Sequence, residues 1–74
     1  MIFIDEEGTL ASDKDTEDLH RFAKIIGLEE RYFSITEAAY TGIPEAMQRW
    51  ARAFGAVSLN SREMRARMVE AGQW

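Results

Sequence analysis

The chain opens with an unbroken apolar run, Ile2 to Ile4, which stops at the acids Asp5, Glu6 and Glu7. A short apolar run without alternation predicts a strand over 2–5 that is buried on both faces and central in its sheet. Gly8 supplies a turn, and residues 9–11 suit a second short strand or an extended connection. The pattern then becomes helical. Leu19, Phe22, Ala23 and Ile26 fall on one face, Ile25 widens it, and the spacing predicts a helix over 15–26. Asp15 or Asp13 suits its cap, Glu17 and Asp18 suit the positive end of its dipole, and Gly27 suits a left-handed stop.

From Leu28 to Thr41 no period holds, and Tyr32 and Phe33 are expected to pack onto the core. Gly42 and Pro44 introduce a second helix over 44–54, with Pro44 in its first turn. Its apolar face comprises Met47, Trp50, Ala51 and Phe54, which places Trp50 in the core, and Gly55 closes it. Residues 56–59 predict a further strand. Asn60 and Glu63 then have capping-box spacing, opening a third helix over 61–71 with Met64 and Met68 on its apolar side. The expected fold is therefore α/β: a single-layer sheet of two or three short strands, about 2–5, 56–59 and 9–11, packed with three helices in one compact domain over 1–74. Helices separate the two firmer strands, so these are expected to pair in parallel through a right-handed crossover.

Composition narrows the picture. Apolar residues make up 46% of the 74, which argues for a packed core over disorder. No cysteine is present, so disulfides and thiolate chemistry are excluded, in keeping with a reducing cytoplasm. Met1 to Ile4 lacks the basic leader of a signal peptide, and no apolar run approaches the roughly 18 residues of a membrane span. A soluble, cytoplasmic protein is expected.

Charge adds an asymmetry. The net charge is −4, with seven acids and one lysine in residues 1–20, balance in 21–42, and five arginines against three glutamates in 43–74. A general nucleic-acid binder would be more basic, whereas a mixed-charge protein surface fits this split.

Few residues offer chemistry. Carboxylates at a strand end, with Asp13 near a turn, have the oxygen donors a hard cation takes, or could divide acid and base roles. Asp13 and Asp15 also stand where helix caps belong. His20, the single histidine, suits a general base or one metal ligand, or a half-buried packing role. Asp5, Asp13 and His20 are thus the candidate catalytic set, with no metal ligand or cofactor assigned. No serine sits in a nucleophile elbow, and the five glycines form no phosphate loop. On the third helix Arg62 and Arg65 share a face, suited to an anion or an acidic partner, while Arg67 points elsewhere. Trp74, if exposed, would anchor a contact. Arg62, Arg65 and Trp74 are the candidate binding residues.

The order of several short motifs resembles the family called domain of unknown function 4031 (DUF4031), short bacterial and phage proteins. Phe3-Ile4-Asp5-Glu6 looks like its opening strand with paired acids, and Asp15-Thr16-Glu17-Asp18-Leu19-His20 like its helix entry. Ile26-Gly27, Tyr32-Phe33, Gly55-Ala56-Val57 and Arg62-Glu63 follow in order, so that the resemblance spans about residues 2–68. The chain departs from the pattern at Ala39-Tyr40-Thr41, where the family has His-Tyr-Asp, and at Met47-Gln48, where it has a basic pair. The histidine before the family's Ala-Asp step is also missing. Either the family is non-catalytic, or this member has kept the scaffold and lost the chemistry.

The resemblance implies a phage or prophage source and assigns no reaction. The leading expectation is a small binding or regulatory protein that docks on a protein partner, one version being an inhibitor of a host or defence protein. The rival is a metal-assisted hydrolase or nuclease-like enzyme using Asp5, Asp13 and His20. A third reading is a structural subunit that self-associates, as in a homodimer.

Overall fold

The computed structural model describes residues 1–74. Five short strands form one mixed sheet: β1 (Ile2–Ile4), β2 (Leu10–Ser12), β3 (Phe33–Ser34), β4 (Ala39–Tyr40) and β5 (Val57–Ser58), in the spatial order β3-β4-β2-β1-β5. Three helices complete it: α1 (Thr16–Ile26), α2 (Glu45–Ala53) and α3 (Ser61–Glu70). No helix is long and apolar enough to cross a membrane.

β1 is an inner strand, paired antiparallel with β2 and parallel with β5, as its unbroken apolar run predicts. Its side chains alternate between two clusters. Ile2 and Ile4 join Leu10, Leu19, Ala23, Ile26 and Ala51 on the face covered by α1 and α2. Phe3 joins Ala11, Ala39, Met64 and Met68 on the face covered by α3. The sheet is therefore the middle layer of three, and both of its faces need apolar residues.

The helix ends follow local chemistry. Asp15 caps α1 by accepting from the Asp18 N–H at 2.7 Å, and Gly27 ends it in the left-handed region at φ 78°. Asn60 and Glu63 form the expected capping box at α3, with bonds of 2.8 and 3.0 Å. Gly8 turns the β1–β2 hairpin at φ +79°, a conformation that strains any residue with a Cβ, and a Cβ there would press on the Ile43 carbonyl oxygen at 3.3 Å and displace the Gln48 amide.

Three expectations need correction. The sheet has five strands, because residues 33–40 form a hairpin, β3–β4, after a single 3₁₀ turn at Glu30–Tyr32. Pro44 stands just before α2 as its N-cap, not within its first turn. Trp50, expected in the core, is 52% exposed, Phe54 is 50% exposed, and Ile25 lies outside the buried stripe of α1. α2 packs against α1 and β1 but buries only Ala51 fully. The stripe's spacing identified a face correctly, but the small sheet leaves the outer half of that face without a partner. Tyr32 and Phe33 do pack against the core.

Candidate functional site

The three residues of the hydrolase reading are held in three separate environments. Asp5 follows β1, and its Oδ1 accepts from the N–H groups of Glu7 at 3.0 Å and Thr9 at 2.9 Å. This fixes the hairpin turn, and Asp5 is buried in it. Asp13 lies beyond the opposite end of the hairpin, where it accepts from the Met1 amino group at 2.8 Å. With Ile2 opposite Ser12 and Ile4 opposite Leu10, about four residues of strand, or roughly 13 Å, separate the two carboxylates along the hairpin. His20 stands on α1, its Nδ1 2.7 Å from the Tyr40 hydroxyl and its ring 4.5 Å from that of Phe33, centre to centre. No three His, Cys, Asp or Glu side chains group as metal ligands. The geometry therefore does not bring Asp5, Asp13 and His20 to one reacting centre, and Asp15 is occupied as a helix cap.

Tyr40 was not singled out by its sequence. It is buried, and burial pushes its hydroxyl above the ordinary value of 10.0, with the Glu30 carboxylate adding to the effect. Its edge-on packing with Phe33 and His20 makes a closed aromatic cluster with a packing role.

The candidate binding residues behave differently, because Arg62, Arg65 and Trp74 all line one open cleft of about 640 Å³. One helix is about 10 Å across, whereas a five-stranded sheet spans roughly 19 Å between its outer strands. Two helices cover one face and α3 alone the other. Trp74, reached after Gly72 turns the chain back at φ 78°, packs against the α3-side cluster and extends that cover. The cleft runs beside α3 and Trp74.

Its lining carries charges of both signs. Arg62 and Arg65 contribute from α3, and Arg65 lies over the Trp74 ring at 5.9 Å. Asp5 and Glu7 from the first hairpin and Glu37 from the β3–β4 turn line the same cleft. None of these five charged groups forms an ion pair within the molecule. Arg67 faces away, over the ring of Phe3 at 5.0 Å, and shares a shallow depression with Asp13 and Glu70. The i, i+3 spacing on α3 thus separated its arginines correctly.

Glu7 and Glu37 were missed as cleft residues. A solvated acid on a turn carries no local mark of the cleft it will line, and the β3–β4 turn that presents Glu37 was itself unforeseen. The contact that Glu6 makes was missed as well. Glu6 accepts from the Ser61 N–H at 2.8 Å and from the Ser61 hydroxyl at 3.4 Å, tying the first hairpin to the start of α3 across 55 residues. A carboxylate at a helix N-terminus also meets the positive end of the dipole. The contact fixes one end of the cleft.

A family model described as Protein of unknown function (DUF4031) matches residues 8–71. No curated protein and no solved structure matches the chain.

Proposed function

We propose that this chain, which belongs to the DUF4031 family, is a small binding protein that docks on a protein partner through the cleft beside α3. One observation carries the reading: Arg62, Arg65 and Trp74 converge on a cleft also lined by acids, and no internal ion pair ties up those charges. An aromatic ring beside arginines, partly buried and bordered by polar groups, is the composition in which interface energy concentrates. A volume of about 640 Å³ lies within the range of pockets that hold a small ligand or a short segment of chain. A phage-encoded protein that engages a host or defence protein in the cytoplasm is one setting for such docking. The dispersal of Asp5, Asp13 and His20 gives the hydrolase reading no comparable support.

Affinity capture from a bacterial lysate tests the proposal. The wild-type chain is expected to retain a specific protein at near-stoichiometric yield, and the Arg62→Ala/Arg65→Ala double variant to retain at least about tenfold less, since each charged contact contributes on the order of 1 kcal/mol or more when desolvated. Equal retention by both, or no specific retention by the wild type, rejects it.

A further inference from the structure

We infer that the cleft recognises a segment of a partner chain carrying a basic and an acidic side chain close together, the basic group on Asp5 and the acidic group on Arg62 and Arg65. The inference rests on the reading that this cleft is the docking site, and it adds the chemistry of what docks.

The argument turns on the two oxygens of Asp5. The residue is 4% exposed, and its Oδ1 accepts two backbone N–H bonds from the turn that it closes. Oδ2 takes no bond from any protein donor, yet it is not a sealed orphan, because the only buried polar side-chain atom without a partner is Trp74 Nε1. Asp5 lines the cleft. It therefore brings to the cleft lining a fixed, largely desolvated carboxylate with one oxygen free of protein donors. Such an oxygen gains most from a charged donor, an ammonium or guanidinium, and little from an acid or an apolar group. Glu7, next to Asp5 on the same turn, also lines the cleft and reinforces that preference. In the same cleft, Arg62 and Arg65 suit a carboxylate, for which a guanidinium fork has matching geometry.

A ligand with a single charge satisfies one set of these groups and meets like charge from the other. A purely acidic ligand meets the three carboxylates, and a purely basic one meets the two arginines. A segment with both signs meets neither penalty, and Trp74 offers its ring to the aliphatic stems of the two side chains.

Titrations followed by NMR chemical shifts test this, with three blocked pentapeptides as probes: acetyl-Gly-Lys-Gly-Glu-Gly-amide and its all-lysine and all-glutamate counterparts, with free lysine as a fourth probe. The expected result is saturable shifts at Asp5, Arg62, Arg65 and the Trp74 indole with the mixed peptide, at an affinity at least tenfold above the other three probes. In Asp5→Asn the two backbone N–H donors keep Oδ1 in place, so an amide N–H replaces Oδ2 while the turn survives, which a melting curve verifies. That variant is expected to bind the mixed peptide about tenfold more weakly. Equal binding of the like-charged peptides, no saturable binding, or an unaffected Asp5→Asn overturns the inference, and free lysine binding as tightly as the peptide overturns the assignment to a chain segment. If Arg62→Ala/Arg65→Ala loses a captured partner but Asp5→Asn keeps it, the docking site stands and the two-charge chemistry falls.

Discussion

Asp5 shows at the scale of one residue how a carboxylate that resembles a catalytic group can serve the backbone. Its Oδ1 satisfies two N–H groups of a turn that no strand ladder reaches. Asp5→Ala leaves both N–H groups without their acceptor and is expected to cost about 2 kcal/mol or more, whereas Asp5→Asn keeps the acceptor and costs under about 1 kcal/mol. Urea denaturation of the two variants checks the difference. Tyr40 carries a second residue-scale consequence. Its folded-state hydroxyl titrates above the ordinary value of 10.0, chiefly because it is buried. The folded protein then holds that proton where the unfolded chain releases it, so this contribution to stability is fully present below pH 10 and is lost as pH rises through the raised value. Tyr40→Phe is expected to lose about 1 kcal/mol at pH 7 through the missing His20 contact, and to show a flatter alkaline decline than wild type. Urea midpoints between pH 7 and about 11 measure it, and parallel declines would contradict it. Asp15 and the Asn60–Glu63 pair were legible in sequence because a cap and its N–H lie three residues apart. The His20–Tyr40 contact was not, because its partners lie 20 residues apart and meet only once the sheet exists.

Elements with a strong local signal formed where their spacing placed them, and the exceptions share one cause. β3 and β4 are two residues each, too short for alternation to register, and they are joined by a turn in which Ala38 takes φ 52° without a glycine to mark it. Pairing with β2 holds β4 in the sheet, so its evidence is tertiary. α2 illustrates the converse. Its apolar spacing is sound, but spacing reports which residues share a face and not how far a neighbour reaches across it. Trp50 and Phe54 consequently lie half-exposed, with ring centres 5.8 Å apart. Trp50→Ala is therefore expected to cost about 1 kcal/mol, the scale of an exposed aromatic pair. Met68→Ala, at a fully buried position, is expected to cost about 2–5 kcal/mol. Thermal or urea unfolding of both variants compares them directly, and a loss from Trp50→Ala equal to that from Met68→Ala would mean that α2 buries its whole stripe.

Across the whole molecule, the charge division along the chain becomes a contact. The acidic first hairpin and the arginine-bearing α3 meet where Glu6 accepts from Ser61, and that contact, together with Phe3 packed among Met64 and Met68, fixes α3 over the sheet. Glu6 does not line the cleft, but it holds Ser61, which does, so its removal should reach the site through position alone. The bond is solvent-exposed, which limits its contribution to about 1 kcal/mol or less and makes that contribution sensitive to salt, because the screening length is about 10 Å at 0.1 M ionic strength. Glu6→Ala is expected to lower stability by that amount in dilute buffer, with the loss shrinking as salt is raised, and to speed hydrogen exchange at the Ser61 amide several-fold. The Asn60–Glu63 capping box does not involve Glu6 and should keep the Glu63 amide protected. Faster exchange at both amides would mean that the start of α3 unravels as a whole. Faster exchange at Ser61 alone, with weaker partner binding, is the outcome expected of a clamp that holds Ser61 in the cleft lining.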